Sequence, residues 1–241
     1  MWRQVKSRRG GKIMNIVPAK FKGLYEQRKG SHGSSYYTKN LVPGASVYGE
    51  TLVHTKGVEY REWDPTRSKV AAAIHKKISQ LGIYPGSTVL YLGASTGTTV
   101  SHISDLVGEE GFVFALDFAP VTTKGLVLLS ETRPNIAPVL GNAMLPETYA
   151  NQVSQVDAII QDIAQRAQPE TFIKNVEKFL KPGGFGFLSI KARSIDVTKH
   201  PKDIFLKVRK YLEKHIIIVD YRELSPLEKD HCVFICKKKN N

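Results

Sequence analysis

Four side chains in this 241-residue sequence could together move a proton and steady a charged donor: Lys69, Asp162, Lys191 and His231. Asp162 and Lys191 follow the apolar runs 156–161 and 185–190, so both fall where parallel strands would end. His231 opens the last apolar run, and Lys69 comes just before an alanine-rich helix. A hydroxyl is a poor nucleophile while protonated, and an in-line displacement needs alignment as well as loss of that proton. A lysine accepts a proton only where burial and a second cation disfavour its charged form. Lys69 near Lys191 would provide this, with Asp162 orienting the ammonium and His231 bonding the hydroxyl or relaying its proton. Taken singly, such a lysine is a solvated rim charge and such an aspartate a helix cap. Their convergence is what argues for chemistry.

The donor is suggested by Val89-Leu90-Tyr91-Leu92-Gly93-Ala94-Ser95-Thr96-Gly97-Thr98-Thr99. This reads as a buried strand, a tight turn at Gly93, Ala94 and Gly97, and a helix with Val100, Ile103, Leu106 and Val107 on one face. A G-x-G-x-x-G turn serves a pyrophosphate. Here the spacing is G-x-x-x-G with hydroxyls around it, which suits a ligand with a carboxylate and no pyrophosphate, such as S-adenosylmethionine. A purely structural strand–helix turn fits the same residues. The next strand, 112–116, ends at Asp117, placed to take both hydroxyls of a ribose or to cap a helix. No Arg or Lys follows directly, so no 2′-phosphate is expected. The third strand ends near Asn142, whose amide suits an adenine edge or a turn. Ser189-Ile190-Lys191 stands where a magnesium-dependent enzyme would want a further acid, so no metal is expected.

These residues need a frame to hold them. Strands are expected over 88–92, 112–116, 136–140, 156–161, 185–190, 216–222 and 231–236, with helices over 98–107, 120–131, 169–180 and 201–213. That is a doubly wound α/β sheet of about seven strands, with ligands beyond the strand C-termini. Another helix is expected over Val70–Leu81, capped by Asp64 or Thr66. Ahead of it, residues 13–55 read as a small basic β-module with short runs at 13–17, 23–27, 35–38 and 47–54, and residues 1–12 as a basic flexible tail. The formal net charge is +13, which suits a polyanion partner better than a small-acid substrate. No run is long enough to span a membrane, and the basic start lacks the apolar core of a signal peptide. Cys232 and Cys236 would stand about 13 Å apart along one strand, too far for a disulfide, and without a second pair they make no zinc site. The chain reads as intracellular.

Several longer stretches carry a resemblance. Thr38-Lys39-Asn40-Leu41-Val42-Pro43-Gly44, Val47-Tyr48-Gly49-Glu50, Tyr60-Arg61-Glu62-Trp63, Arg67-Ser68-Lys69, Leu90-Tyr91-Leu92-Gly93-Ala94, Gly97-Thr98-Thr99-Val100-Ser101-His102, Ser189-Ile190-Lys191-Ala192-Arg193-Ser194-Ile195-Asp196 and Lys229-Asp230-His231 resemble fibrillarin from about residue 20 onward. The resemblance implies a Rossmann-like S-adenosylmethionine-dependent methyltransferase domain over 56–241 beside the β-module. It implies ribose 2′-O-methylation of ribosomal RNA, and of tRNA in archaeal-type members, directed by a box C/D guide RNA. The implied partners are that guide RNA and its target, a coiled-coil scaffold subunit and a kink-turn-binding protein. The implied tetrad is Lys69, Asp162, Lys191 and His231, and the implied cofactor contacts are Thr98, Thr99, Asp117, Phe118, Asn142, Ala143, Asp162, Ile163, Ala164 and Gln165.

The sequence departs from the family pattern in places. The ribose-binding acid, usually Glu, is Asp117, one methylene shorter. The adenine-side Asp is Asn142, which keeps an acceptor oxygen and loses the charge. Asp-Val-Ala-Gln-Pro-x-Gln appears as Asp162-Ile163-Ala164-Gln165-Arg166-Ala167-Gln168, so a proline gives way to an arginine able to meet a phosphate. A long arginine–glycine tail is missing, with Arg8-Arg9-Gly10-Gly11 at most a stub. That favours an archaeal-type, cytoplasmic protein or a reduced nuclear, nucleolar one. A catalytically weak RNA-assembly subunit of the same kind of particle is the alternative reading.

Overall fold

The computed structural model describes residues 15–30 and 33–240; the expected tail at 1–12, and the start of the first β-prone run, lie outside them. The chain forms two sheets. The first is antiparallel, built from β1 (Val17–Pro18), β2 (Leu24–Arg28), β3 (Ser34–Lys39), β4 (Leu52–Thr55) and β5 (Val58–Glu62) in the order β1-β2-β3-β5-β4. The second has seven strands: β6 (Thr88–Leu92), β7 (Phe112–Asp117), β8 (Ile136–Leu140), β9 (Val156–Gln161), β10 (Leu180–Lys191), β11 (Ile217–Glu223) and β12 (His231–Lys237). Their order is β11-β12-β10-β9-β6-β7-β8, parallel from β10 to β8, with β12 antiparallel to both β10 and β11. The order reverses at β6, which lies between β7 and β9. The ligand crevice of such a sheet opens beyond the C-termini of β6 and β9.

Helices cover both faces because the parallel strands are apolar on both sides. One face packs α1 (Lys69–His75), α2 (Thr98–Val107) and α3 (Pro120–Thr132) through Val70, Ile74, Val100, Ile103 and Leu126. The other packs α4 (Gln168–Phe179) and α6 (Pro201–His215) through Phe172, Val176, Phe205 and Leu212, with the short α5 (Ala192–Ile195) at the end of β10. The Rossmann-like arrangement follows the sequence pattern closely. Pro182–Gly184, expected as a loop, interrupts β10, whose pairing with β9 jumps from Leu180 to Phe185.

Three local expectations are corrected. The first sheet passes the boundary expected at residue 55, because β5 pairs with β4 and β3. Val58–Glu62 hides its nature by turning Glu59 and Arg61 inward, so its alternation reads backwards. The strand expected at 47–54 is only β4, because the Glu50 carboxylate accepts the Val47 and Tyr48 N–H groups and pins 47–50 as a turn. Helix α1 is capped by Ser68, not by Asp64 or Thr66, and it stops at His75 rather than Leu81. Beyond it, Arg222 of β11 binds the carbonyls of Lys76 and Lys77, and Lys20 binds that of Ile78.

The two sheets are joined through a buried ionic seam. Arg61 of β5 donates to Glu50 at 2.6 Å, to Asp105 of α2 at 2.8 Å and to Ser101 at 2.8 Å. Arg133 donates to the other Asp105 oxygen at 2.6 Å and to Asn40 at 3.1 Å. His102 lies between the Thr38 and Tyr48 hydroxyls, stacked on Trp63 with ring centroids 4.8 Å apart.

Candidate functional site

The turn after β6 is built for close approach. Gly93 has φ +85°, and a Cβ there would collide with the Asp162 carbonyl and the Ile163 side chain. Gly97 has φ +95°, and a Cβ there would strike Leu129. Gly97 also begins α2 without offering a side chain to cap it, so the first amides of a ten-residue helix point outward uncapped. A carboxylate suits that end. The amides of Gly93 and Ala94 both bond the Leu116 carbonyl, which fixes the turn against β7 and leaves their backbone donors occupied.

The walls of the crevice come from neighbouring strand ends. Asp117, buried at the end of β7, accepts Ser95 N–H on Oδ2 and Ala119 N–H on Oδ1, with the Thr122 hydroxyl 2.7 Å from Oδ1. A carboxylate oxygen takes two donors, so Oδ2 is the one with room for a sugar hydroxyl. Next to it Phe118 is 69 % exposed, an aromatic face that a buried core would have claimed. Asn142 turns its Oδ1 back onto the Met144 N–H, so it presents its amide NH₂ outward. Ala143 is buried, with its carbonyl taken by Asn175. Along 162–165, Ala164 is exposed and the buried Gln165 Oε1 lacks a hydrogen-bond partner among the described residues. A glycine cradle, an uncapped helix start, a diol-ready carboxylate and an exposed ring together fit an adenosyl amino acid.

Of the four chemistry-bearing residues, Lys69 and Asp162 meet at the crevice, and Lys191 and His231 pair across neighbouring strands. Lys69, the first residue of α1, places Nζ 3.5 Å from Asp162 Oδ2. Ser68 holds that helix start, accepting Ala71 N–H, and the Thr99 hydroxyl reaches Ser68 at 3.1 Å. Beneath them Tyr91 is fully buried. Burial first, and then the Asp162 charge, pushes its phenol up, so it stays neutral. Lys191 and His231 are direct cross-strand partners on β10 and β12, so their side chains share a face. That face also carries Val233 and packs α1, the side from which Lys69 comes. The Lys191 ammonium has no partner among the described residues. Its backbone is clamped by Gln168, whose Oε1 accepts Lys191 N–H at 3.0 Å and whose Nε2 donates to the Gln165 carbonyl at 2.6 Å. The 2.7 Å contact of His231 Nδ1 with the Lys229 carbonyl puts the ring hydrogen on Nδ1 and the lone pair on Nε2. Sequence reasoning missed Glu228, which lies 3.8 Å from Lys69 Nζ. In sequence it is one more charge in a polar loop, with no spacing to mark it.

A family description for fibrillarin matches residues 16–240. The chain belongs to the fibrillarin family. It is 47 % identical to a fibrillarin-like rRNA/tRNA 2′-O-methyltransferase of Thermococcus sibiricus, over 93 % of this chain and all of the relative. Its fold superposes on a fibrillarin of Aeropyrum pernix, solved with natively bound S-adenosyl-L-methionine, with a TM-score of 0.85, 37 % identity, and 93 % and 99 % of the two chains covered. It also superposes on the fibrillarin of a fibrillarin/Nop5p complex, with a TM-score of 0.77, 39 % identity, and 85 % and 94 % covered. Within the fibrillarin frame, the seven-stranded sheet is the methyltransferase part. The five-stranded sheet is an N-terminal addition locked to α2 by the Arg61–Asp105 seam.

Proposed function

We propose that this chain is the methyltransferase of a box C/D ribonucleoprotein, methylating the ribose 2′-hydroxyl of ribosomal RNA, and of tRNA, under a guide RNA. The observation that carries the reading is the Lys69–Asp162 pair at 3.5 Å, set beside the Gly93 cradle and linked through Glu228 to His231, the cross-strand partner of Lys191. S-adenosylmethionine, when bound, supplies an electrophilic methyl group on a sulfonium. Asp117 and Phe118 hold its nucleoside end, and the first turn of α2 holds its carboxylate. Lys69, fixed by Asp162, and Lys191, whose ammonium has no partner among the described residues, orient the 2′-oxygen for in-line attack. An ammonium has donors only, whether paired like that of Lys69 or not like that of Lys191, so the acceptor of the hydroxyl proton is His231 Nε2. Exposed Arg67, Arg166 and Lys229, on connectors at this edge, offer phosphate contacts that position the strand without reading its bases. A coiled-coil scaffold of the Nop5 kind and a kink-turn-binding protein complete the particle. An archaeal setting, and with it the cytoplasm, fits the archaeal sources of the relatives.

The test is transfer of a labelled methyl group to a guided RNA in the assembled particle. Asp162→Ala and Lys191→Ala should each lower transfer by about a hundredfold or more, with the melting temperature held. Near-normal transfer by both variants would refute the assignment of the site. Calorimetry showing no S-adenosylmethionine binding would favour an assembly subunit without activity.

A further inference from the structure

Glu228 lies on the connector between β11 and β12, three residues before His231, and it faces two of the four candidate groups. Its Oε1 is 3.8 Å from Lys69 Nζ, and its Oε2 is 3.9 Å from His231 Nδ1. The connector is closed on itself: Glu228 N–H bonds the Leu224 carbonyl at 3.2 Å, and Leu224 N–H bonds the His231 carbonyl at 2.9 Å. The neighbouring cation Arg193 is engaged elsewhere, on Asp230 at 3.2 Å and the Val197 carbonyl at 2.9 Å. We propose that Glu228 is a positioning residue, which seats Lys69 against Asp162 from a separate element and ties Lys69 to His231. The inference rests on the function proposed above and adds a carboxylate to the four groups named there.

The physical reason lies in how a lysine is fixed. Its stem has four rotatable bonds, and one carboxylate restrains the ammonium only to an arc. A second carboxylate from a different element narrows that arc to a point. Lys69 begins α1, Asp162 follows β9, and Glu228 belongs to the β11–β12 connector, so three elements triangulate one nitrogen. The contacts at 3.5–3.9 Å lie beyond good hydrogen-bond length and within ion-pair range. The ammonium is therefore held in place while keeping donors for an incoming oxygen. His231 gains as well: a carboxylate on the Nδ1 side reinforces the orientation set by the Lys229 carbonyl, which keeps Nε2 as the acceptor.

Glu228→Gln keeps the shape and removes the charge. In the assembled particle, single-turnover methyl transfer should slow by about tenfold, with KM for S-adenosylmethionine and the melting temperature unchanged, the pattern of a group acting after the cofactor is bound. Glu228→Asp should recover part of the rate, because the carboxylate remains. In a Lys69→Ala background, Glu228→Gln should slow the residual rate by less than about twofold, because its target is gone. A crystal structure of Glu228→Gln should show Lys69 Nζ displaced from Asp162. An unchanged rate, a full additive loss in the Lys69→Ala background, or an unmoved Lys69 would overturn the proposal. If the unaltered chain transfers no methyl group, the function proposed above fails, and the position of Lys69 in Glu228→Gln still decides this inference.

Discussion

The molecule holds two ionic clusters, built to opposite ends. At the seam between the sheets, the side chains of Arg61, Arg133 and Asp105 are 0–1 % exposed, with contacts of 2.6–2.8 Å. Both Asp105 oxygens are taken, one by Arg61 and Thr38, the other by Arg133 and Leu41 N–H. At the strand ends, Lys69, Asp162 and Glu228 are 19–27 % exposed with contacts of 3.5–3.8 Å, and Lys191 has no carboxylate partner among the described residues. A dry, saturated cluster costs desolvation and returns a fixed geometry. A loose, half-wet one leaves charge for a ligand to complete. Similar residue types therefore make a structural clamp in one place and a candidate reaction site in the other. Geometry and saturation distinguish them.

The sharpest way to break this contrast is to take one carboxylate from the saturated cluster. Asp105→Asn leaves Arg61 and Arg133 buried beside each other without their shared counter-charge. Removing one member of such a network costs roughly 3–5 kcal/mol, so the denaturant midpoint should fall steeply while the cofactor affinity of the folded fraction is unchanged. The matching change at the site, Asp162→Ala, should do the reverse. A loss below about 1 kcal/mol for Asp105→Asn, the usual scale of a surface pair, would place the seam among ordinary surface ion pairs and remove the distinction.

A smaller effect separates the clusters by pH. Burial, with the charges of Arg61 and Arg133, holds the His102 imidazole well below its ordinary value of 6.5. The unfolded chain takes up a proton near that value and the folded chain does not. Stability should thus be full above pH 6.5 and decline below it, by up to about 1.4 kcal/mol per pH unit. The half-buried His75 shifts in the same direction and adds to the slope. His102→Asn should flatten the decline between pH 6.5 and 5 in thermal melts. An identical slope in wild type and variant would move the linkage away from the seam.

How much of this could be read from the residues alone follows the same division. The parallel strands are apolar on both faces and the crossovers end at glycines such as Gly108, so the larger sheet was legible nearly to the residue. Lys69, Asp162, Lys191 and His231 were legible as strand-end or helix-start polar groups. The seam was not. β5 buries Glu59 and Arg61, and that inversion of polarity makes sense only once Asp105 and Arg133 arrive from distant parts of the chain. The end of α1 was hidden for a similar reason, since Arg222, far along the sequence, takes the carbonyls of Lys76 and Lys77 just beyond it. The roles of the four site residues also needed coordinates. Their types suggested two lysines side by side; the flanking of Lys69 by two carboxylates and the pairing of Lys191 opposite His231 could not be read from type or spacing.

Ser68 gives the smallest effect and the finest test, because it touches both worlds. It follows the seam segment of β5 and Trp63, caps α1 through Ala71 N–H, and meets the Thr99 hydroxyl of α2 at 3.1 Å. Losing a serine cap costs about 1 kcal/mol, so Ser68→Ala should lower the melting temperature only slightly. Lys69 is the next residue and its direction is set by that cap. The rate of methyl transfer should therefore fall by more than the stability change explains, with S-adenosylmethionine binding also weakened through Thr99. Ser68→Thr, which keeps a hydroxyl at the cap, should restore both. If Ser68→Ala shifts only the melting temperature, the cap belongs wholly to the seam, and the site positions Lys69 through Asp162 and Glu228 alone.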